Sequence, residues 1–319
     1  MAVPLEAQAP GVVVHDQSFE GVEREEQGVS EEVAELAEAD QLLSLEDCRK
    51  LMRKPVARAL QLPAARGQVL DAAGVHRLAR GAFVRVGWCY LCTRCDNWHT
   101  ELACGYLISK DGGIATCAHV LEEPAVEMRQ ASLVAVDANG SVHPVRSIVA
   151  VDEAMDAAVV TIAAAAAAEL APIAFDDQVR PGDMSYCKSR PMDQRGFYSA
   201  GMVNRFYLDR DTFGAKGLPK PQELSYLRAM RMDVDIPWAP GSSGAAILNA
   251  RGNVIGHVSE IRPLSDMMGM PPRAGGPERA ATMADVESAV PLITIHVAIP
   301  ARSVRALLRT GSAPGDRKQ

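Results

Sequence analysis

A histidine, an aspartate and a serine, namely His119, Asp156 and Ser243, each stand beside a short apolar run of the 319-residue chain. A serine hydroxyl is a poor nucleophile at neutral pH and needs an adjacent base. An imidazole can take the hydroxyl proton and later return it to a leaving amine. We therefore expect acyl-transfer chemistry, with Ser243 as nucleophile, His119 as base and Asp156 as the group that orients the imidazole.

Two of these groups have a close rival in the sequence. Ser242 precedes Ser243, but the Gly-x-Ser-Gly spacing from Gly241 selects Ser243. Asp152 lies four residues before Asp156, but the β-like run follows Asp156 directly. A glycine suits a position where the backbone approaches a ligand closely. We expect the backbone N–H groups of Gly241 and Ser243 to form an oxyanion hole, in which one donor is typically worth about 3–4 kcal/mol.

Many short β-like runs must position these groups. Turn signals such as Lys110-Asp-Gly-Gly separate the runs, and this spacing is typical of sandwiches and barrels. Before them, helical spacing begins at Leu45, and Pro55 and Pro63 interrupt it, so we predict two short helices. The predicted segments are an acidic, disordered tail (1–47), a helical extension (48–80), a first β-barrel with His119 and Asp156 (81–175), a second β-barrel with Ser243 and a C-terminal helix (176–309), and a polar tail (310–319).

Charge is distributed unevenly along the chain. Residues 1–47 hold 13 acidic side chains and one basic side chain, Arg24, whereas the remainder holds 27 acidic and 32 basic residues. Such a segment is typical of a solvated, disordered tail, and docking on the basic body is the alternative. The sequence has no apolar run long enough to span a membrane, and its first residues do not resemble a secretory signal. We expect a cytoplasmic protein, or a periplasmic or secreted one if a signal was removed.

The segments around His119, Asp156 and Ser243 resemble those of bacterial HtrA/Deg-type proteases in the chymotrypsin-like (trypsin-fold) superfamily. Asp156-Ala-Ala-Val-Val is similar to the family's Asp-Leu-Ala-Val-Leu strand, and Pro240-Gly-Ser-Ser-Gly-Ala resembles its Pro-Gly-Asn-Ser-Gly-Gly. The order His, Asp, Ser is also that of chymotrypsin. The resemblance spans residues 82–309. It implies an all-β fold of two six-stranded antiparallel β-barrels, with an N-terminal helical extension and a C-terminal helix, and a serine endopeptidase that forms an acyl-enzyme.

The resemblance also implies roles for residues around the triad. Ser259 would support Asp156, and Pro237 would lie near the floor of the S1 pocket. The segment Ser259, Glu260 and Ile261 would pair with substrate backbone as an added strand. No acidic residue stands at the pocket-floor position, so we expect a small or apolar P1 side chain. The Met-rich loop 262–291 is expected either to cover this pocket or to be a mobile surface loop.

The sequence departs from the family in several places. Ala245 replaces a second glycine, Ser242 replaces Asn or Asp, and the 76 residues after Ser243 leave no room for a PDZ domain. A non-catalytic or latent peptide-binding protein on the same fold is the alternative function. The expected partner is a protein or peptide substrate and not nucleic acid, and the oligomeric state stays open. No cofactor is required for the expected reaction.

Seven cysteines form a second puzzle, since four of them lie within residues 89–104. Cys89, Cys92, Cys95 and His99 have the ligand types and short spacing of a structural zinc site. A longer-range second ligand pair is missing from the pattern. The alternatives are disulfides, such as one between Cys104 and Cys117, or free thiols.

Overall fold

Helices precede and follow the β-strands in the computed structural model, which describes residues 14–168, 170–213, 217–264 and 293–311. The first three are α1 (Phe19–Glu38), α2 (Leu45–Arg53) and α3 (Ala72–Ala82). Ser18, Ser44 and Asp71 cap them, each accepting a hydrogen bond from a backbone N–H of the first turn. Residues 312–319 of the expected polar tail and residues 265–291 of the Met-rich loop lie outside the described residues.

Helix α1 lies inside the segment predicted to be a disordered tail, so that prediction is wrong for residues 19–38. Its acidic composition conceals a narrow apolar stripe, because Val29 and Val33 lie four residues apart and are both buried. They pack with Cys89 in a small core beneath the helix. The carboxylates on the same side of α1 pair with arginines of the body, as described below. The two short helices predicted after this segment are confirmed as α2 and α3.

The first β unit is a seven-stranded antiparallel sheet in the order β5-β4-β1-β2-β3-β7-β6. Its strands are β1 (Phe83–Cys92), β2 (Trp98–Leu107), β3 (Gly113–Thr116), β4 (Met128–Asp137), β5 (Val142–Pro144), β6 (Ser147–Asp152) and β7 (Ala157–Thr161). Most of their side chains are buried, and β7 is buried along its whole length. A strand that is apolar on both faces reads as a continuous Ala/Val run rather than an alternating one.

The second β unit is a closed six-stranded barrel in the order β10-β13-β12-β11-β8-β9. Its strands are β8 (Met184–Lys188), β9 (Tyr198–Leu208), β10 (Met230–Val234), β11 (Ala246–Asn249), β12 (Val254–Leu264) and β13 (Ile293–Pro300). Three short helices, α4 (Ala164–Ala167), α5 (Arg210–Phe213) and α6 (Leu224–Ala229), lie between strands, and α7 (Ala301–Gly311) follows the last one.

Two β units flanked by helices confirm the predicted all-β, chymotrypsin-like fold class. The prediction of two six-stranded barrels is wrong for the first unit, which is an open sheet of seven strands with β5 and β6 at its edges, whereas the second unit closes with six strands as expected. The units meet directly at the serine turn, where Cys104 on β2 donates its backbone N–H to the carbonyl of Ser243 at 2.9 Å. Among the helices of the described segments, none is long and apolar enough to span a bilayer.

Candidate active site

Asp156 occupies the last position of a tight turn between β6 and β7. Its backbone N–H donates to the carbonyl of Glu153 at 3.0 Å, and its φ of 53° lies in the left-handed region, which Asp tolerates better than most residues. The rival Asp152 has a structural role, since its carboxylate accepts from the N–H of Met155 and from Arg228. The structure thereby separates the two aspartates, and only Asp156 lies beside His119.

His119 begins a single 3₁₀ turn after β3, at the mouth of the first unit. Its Nδ1 lies 3.0 and 3.1 Å from the two carboxylate oxygens of Asp156, and its backbone N–H reaches the same carboxylate at 3.2 Å. The hydrogen bond between the His119 ring and the Asp156 carboxylate is the main reason why the pKa of His119 lies above its ordinary value. Burial acts in the opposite direction and lowers this pKa. The pairing leaves Nε2 as the ring nitrogen that faces away from Asp156.

Two side chains contact the carboxylate of Asp156, and a buried histidine contacts its backbone carbonyl. Burial alone would raise the pKa of Asp156, but hydrogen bonds from His119 and Ser259 outweigh burial and hold it well below its ordinary value. The buried ring of His257 contacts the backbone carbonyl of Asp156 through Nε2 at 3.1 Å. Burial lowers the pKa of His257 to about 4, so this ring is neutral near pH 7.

His257 was missed from the sequence, although a signal for it existed. It stands two residues before Ser259 on β12, and residues two apart on a strand share a face. A β-bulge between Val258 and Glu260 then re-aims Ser259 toward Asp156. The second ring nitrogen of His257, Nδ1, lies 3.4 Å from the hydroxyl of Tyr106. The histidine therefore links β2 to the turn that carries Asp156.

Ser243 lies in a turn bounded by two glycines of positive φ, Gly241 (92°) and Gly244 (80°). It is half-buried, whereas Ser242 is fully buried and its hydroxyl has no partner among the described residues. A Cβ on Gly241 would lie 2.7 Å from the carbonyl oxygen of Arg190, so no other residue fits that position without a shift. Within the described parts of the chain, the N–H groups of Gly241 and Ser243 donate to no protein acceptor.

His119 and Asp156 are thus in contact in the first unit, and His119 lines one cleft with Gly241 of the turn that carries Ser243. No hydrogen bond joins His119 to Ser243 among the described residues. A family model described as a trypsin-like peptidase domain matches residues 103–256, which include all three candidate residues.

Residues 103–256 thus resemble a trypsin-like peptidase domain.

Similarity to individual proteins is more distant. A putative serine protease HhoB from Synechocystis sp. (strain ATCC 27184 / PCC 6803 / Kazusa) is 28% identical over 158 residues, which is 50% of this chain and 34% of that protein. The chain therefore spans about a third of the length of this relative. A serine endoprotease from Yersinia pestis aligns over 78% of this chain and 69% of its own, with 19% identity and a TM-score of 0.48. The family model and the relative support a function of the serine-protease kind.

The residues expected to bind substrate take different positions in the peptidase domain. Glu260 and Ile261 pair with β13 on one side, and no described strand pairs with them on the other. Pro237 is exposed, so it is not enclosed as the floor of a closed pocket. The adjacent Trp238 is buried instead, and its indole N–H donates to the carbonyl of Glu260 at 3.3 Å.

Helix α1 reaches the edge of the same cleft, which sequence reasoning did not predict. Glu26 lines the cleft together with His119 and Gly241. Its carboxylate pairs with Arg85 of β1 at 2.6 Å and with Arg190 at 3.2 Å, and it accepts from Thr100. The peptidase domain therefore carries its N-terminal helix as one wall of the candidate active-site cleft.

Three of the four predicted zinc ligands, Cys92, Cys95 and His99, lie together at the tip of the β1–β2 hairpin, and the fourth does not. The Sγ atoms of Cys92 and Cys95 and a ring nitrogen of His99 all lie within 4.8 Å of one another. The prediction that Cys89 is a ligand is wrong, because Cys89 is buried beneath α1 and its thiol donates to the backbone carbonyl of Ser132. A strand side chain that faces the core cannot also reach the exposed hairpin tip.

The alternative disulfide between Cys104 and Cys117 is not formed in the structure. The thiol of Cys104 donates to the carbonyl of Gly241 at 3.2 Å, and that of Cys117 donates to Val258 at 3.0 Å. Burial raises the pKa of both thiols, that of Cys104 to about 12. Both are therefore protonated donors, with Cys104 packed against the serine turn and Cys117 against β12.

Proposed function

We propose that the peptidase domain is a serine endopeptidase with a His119–Asp156–Ser243 triad. The observation that carries this proposal is the Asp156 carboxylate, which accepts hydrogen bonds from His119 and Ser259 and stays ionised despite its burial. An ionised carboxylate at Nδ1 fixes the imidazole tautomer and stabilises the imidazolium that forms during catalysis. It leaves Nε2 free to accept a proton.

Catalysis would proceed through an acyl-enzyme. Nε2 of His119 takes the proton of Ser243 as its Oγ attacks the scissile carbonyl carbon, and then gives that proton to the leaving amine. The oxyanion is stabilised by the N–H groups of Gly241 and Ser243, which have no protein acceptor in the described residues. Water, deprotonated by His119, then releases the acid and restores Ser243. These steps need no cofactor.

A fluorophosphonate probe tests the nucleophile, because it labels an activated serine. Wild-type protein should be labelled, and Ser243→Ala should abolish the labelling. Ser242→Ala is the matched control, since its hydroxyl is buried and unpartnered, and it should label like wild type. Labelling that survives Ser243→Ala would contradict the assignment.

The second candidate function is a latent peptide-binding protein, favoured by the position of Glu26 in the cleft. In that state α1 would narrow access to His119 while the triad stays intact. Absence of labelling in wild type, with saturable binding of unstructured peptides, would favour this function over the endopeptidase.

We further infer that Cys92, Cys95 and His99 hold a structural zinc ion with one ligand position left for water or another group. The N–H of Arg94 donates to the Cys92 sulfur at 3.4 Å, and such backbone hydrogen bonds lower the pKa of the Cys92 thiol. A lowered pKa favours the thiolate that zinc requires. The sulfur of Cys95 lies 3.0 Å from Nε2 of His99.

Metal analysis of the purified protein tests this site. One equivalent of zinc is expected, falling to none in Cys92→Ser and staying at one in the control Cys89→Ser. Cadmium substitution should add the ultraviolet charge-transfer band of thiolate ligands. Zinc-free protein with a Cys92–Cys95 disulfide after non-reducing digestion would contradict it.

A further inference from the structure

A second cavity lies behind the serine turn, between α3, β8 and the turn that follows β8. Its volume is about 820 Å³, which suits a ligand of small-molecule size. Its basic lining residues come from α3, β1, β8 and the turn after β8: Arg77, Arg80, Arg85, Lys188, Arg190 and Arg195. The only carboxylates in its lining are Glu25 and Asp137, and no part of the triad lines it.

The cavity lining carries a strong positive charge, although the whole chain has a net negative charge. Its lining carries a formal charge of +4 from six basic and two acidic side chains, whereas the whole chain carries −7. One of its two carboxylates, Asp137, is occupied by His143 and by backbone N–H groups of its own turn. Concave surfaces of one charge focus the electrostatic potential and attract ligands of the opposite charge.

Three of the six cations are neutralised and three are not. Arg85, Arg190 and Arg195 all contact the carboxylate of Glu25. In contrast, Arg77, Arg80 and Lys188 have no ion pair with any described residue. A group of basic side chains that share one wall repel each other unless an anion joins them.

Lys188 shows this repulsion most clearly. Burial lowers its pKa, and the nearby charges of Arg80 and Arg190 lower it further. Its Nζ lies 5.0 Å from the centre of the Phe83 ring, which offers only a weak cation–π contact. A half-buried ammonium without a carboxylate partner is unfavourable, and no carboxylate of the described residues pairs with Lys188.

The neighbouring Ser189 points to the same missing partner. Its side chain is 1% exposed, lines the cavity, and its hydroxyl has no hydrogen-bond partner in the described residues. Buried hydroxyls almost always have one. An oxygen-rich anion in the cavity would accept hydrogen bonds from the hydroxyl of Ser189 and from the arginine and lysine side chains around it.

We propose that this cavity binds a ligand through its phosphate group, held by Arg77, Arg80, Lys188 and Ser189. Guanidinium groups match phosphate oxygens with paired N–H donors, and an ammonium adds a compact charge. A carboxylate brings one negative charge to the three unpaired cations, whereas a phosphate group brings more negative charge and more acceptor oxygens. Free phosphate and a nucleotide are the two sources of this chemistry.

The site communicates with the serine turn through one loop. Arg190 lines the cavity with its side chain, while its backbone carbonyl packs against Gly241. Two residues later, the N–H of Met192 donates to the carbonyl of Pro240 at 2.8 Å. A ligand that orders this loop would also order the turn that carries Ser243.

Calorimetric titration with inorganic pyrophosphate and with ATP, at physiological salt, tests the proposal on the full chain. Saturable binding of one equivalent is expected for wild type, and Arg80→Ala and Lys188→Met should each weaken it about tenfold or more. Arg53→Ala, an exposed arginine of α2 outside the cavity, is the matched control and should leave the affinity unchanged. Equal affinities for pyrophosphate and ATP would show that the phosphate groups alone are sufficient for binding. Tighter binding of ATP would indicate that the ligand is a nucleotide.

Several results would overturn the proposal. These are the absence of saturable binding at millimolar probe concentrations, or affinities that do not differ between wild type and the two cavity variants. Thermal unfolding of each variant without probe shows whether it is folded. Because binding is measured without any substrate, and also in Ser243→Ala, failure of this site is distinct from failure of the proposed peptidase. Faster fluorophosphonate labelling with pyrophosphate is expected in wild type and in Arg53→Ala but not in the two cavity variants, and an unchanged rate in wild type would overturn the coupling through Arg190.

Discussion

Asp156 is a buried carboxylate that must keep its charge, and the residues around it are arranged to achieve this. Two hydrogen bonds to its oxygens, from His119 and Ser259, favour the ionised form against the cost of burial. His257 contributes a neutral ring at the backbone of Asp156, so it fixes the turn without competing for the carboxylate. The carboxylate of Asp156 is therefore left to interact with His119 and Ser259.

Ser259→Ala removes one hydrogen bond to Asp156 and should reduce kcat/KM for a peptide substrate about tenfold. A hydrogen bond to a charged group is worth about 1.5–3 kcal/mol, and part of it is lost in the transition state. Steady-state kinetics on an unstructured peptide would measure the change. Ser185→Ala, which removes a buried hydroxyl without a partner in the described residues, should have almost no effect. Equal losses in both variants would contradict a specific role for Ser259.

The pH dependence of labelling should follow His119. The Asp156 hydrogen bond raises the pKa of His119 above 6.5, and only the neutral ring can act as base. The labelling rate should therefore rise with pH through a midpoint above 6.5. Asp156→Asn removes the carboxylate, so the midpoint should shift to lower pH and the plateau should fall by orders of magnitude. A midpoint that stays unchanged in Asp156→Asn would contradict this assignment.

At this scale the sequence predicts what depends on local pattern. His119, Asp156 and Ser243 each stand next to a strand or a glycine turn, and the structure brings the first two into contact and places the third beside Gly241. The partners that come from distant strands were not all predictable. The two-residue spacing of His257 and Ser259 indicates a shared strand, but no local pattern indicates that His257 contacts Asp156, which lies 101 residues away in the chain.

Among the elements, α1 is the one that sequence composition describes worst. Net charge predicts disorder only when the charges have no partners, and here Glu25 has three arginine partners. Val29 and Val33 are too few to stand out in an acidic segment, although they are enough to anchor one helix face. The other elements follow from turn signals and β-like runs, because those patterns act over a few residues.

Glu25→Gln should lower the free energy of unfolding by about 3 kcal/mol. Arg85 and Arg190 have side chains only 6% and 8% exposed, and removing a partner of a buried charge typically costs about 3–5 kcal/mol. We expect the lower end of this range because Glu26 stays paired with both arginines. Chemical denaturation would measure the difference. Glu35→Gln, at an exposed position on the same helix, should change the stability by less than about 0.5 kcal/mol. Similar values for the two variants would show that the ion pairs do not stabilise the fold.

In the whole molecule, the contact between the two β units depends on Gly244. A Cβ at this position would lie 2.2 Å from the carbonyl oxygen of Cys104 and 2.4 Å from the hydroxyl of Thr116. Both atoms belong to the first unit, whereas Gly244 belongs to the second. The close approach of the two backbones therefore requires a residue without a side chain here.

Gly244→Ala should destabilise the protein more than its backbone conformation alone explains. Gly182 has a similar φ of 92° and open space around it, so Gly182→Ala should cost about 1 kcal/mol for conformation only. Gly244→Ala should cost about 2 kcal/mol more, because the units must separate to admit the methyl group. Denaturant unfolding of both variants gives the difference, and equal losses would contradict a packing role for Gly244.

The ion pairs of α1 also impose an order on how the chain is completed during synthesis. Glu26 and Glu25 leave the ribosome early, yet Arg85 follows Glu26 by 59 residues and Arg190 follows Glu25 by 165. Contacts of such separation form late, since the intervening chain must first be ordered. Helix α1, which is made before both β units, is thus among the last of the described elements to dock.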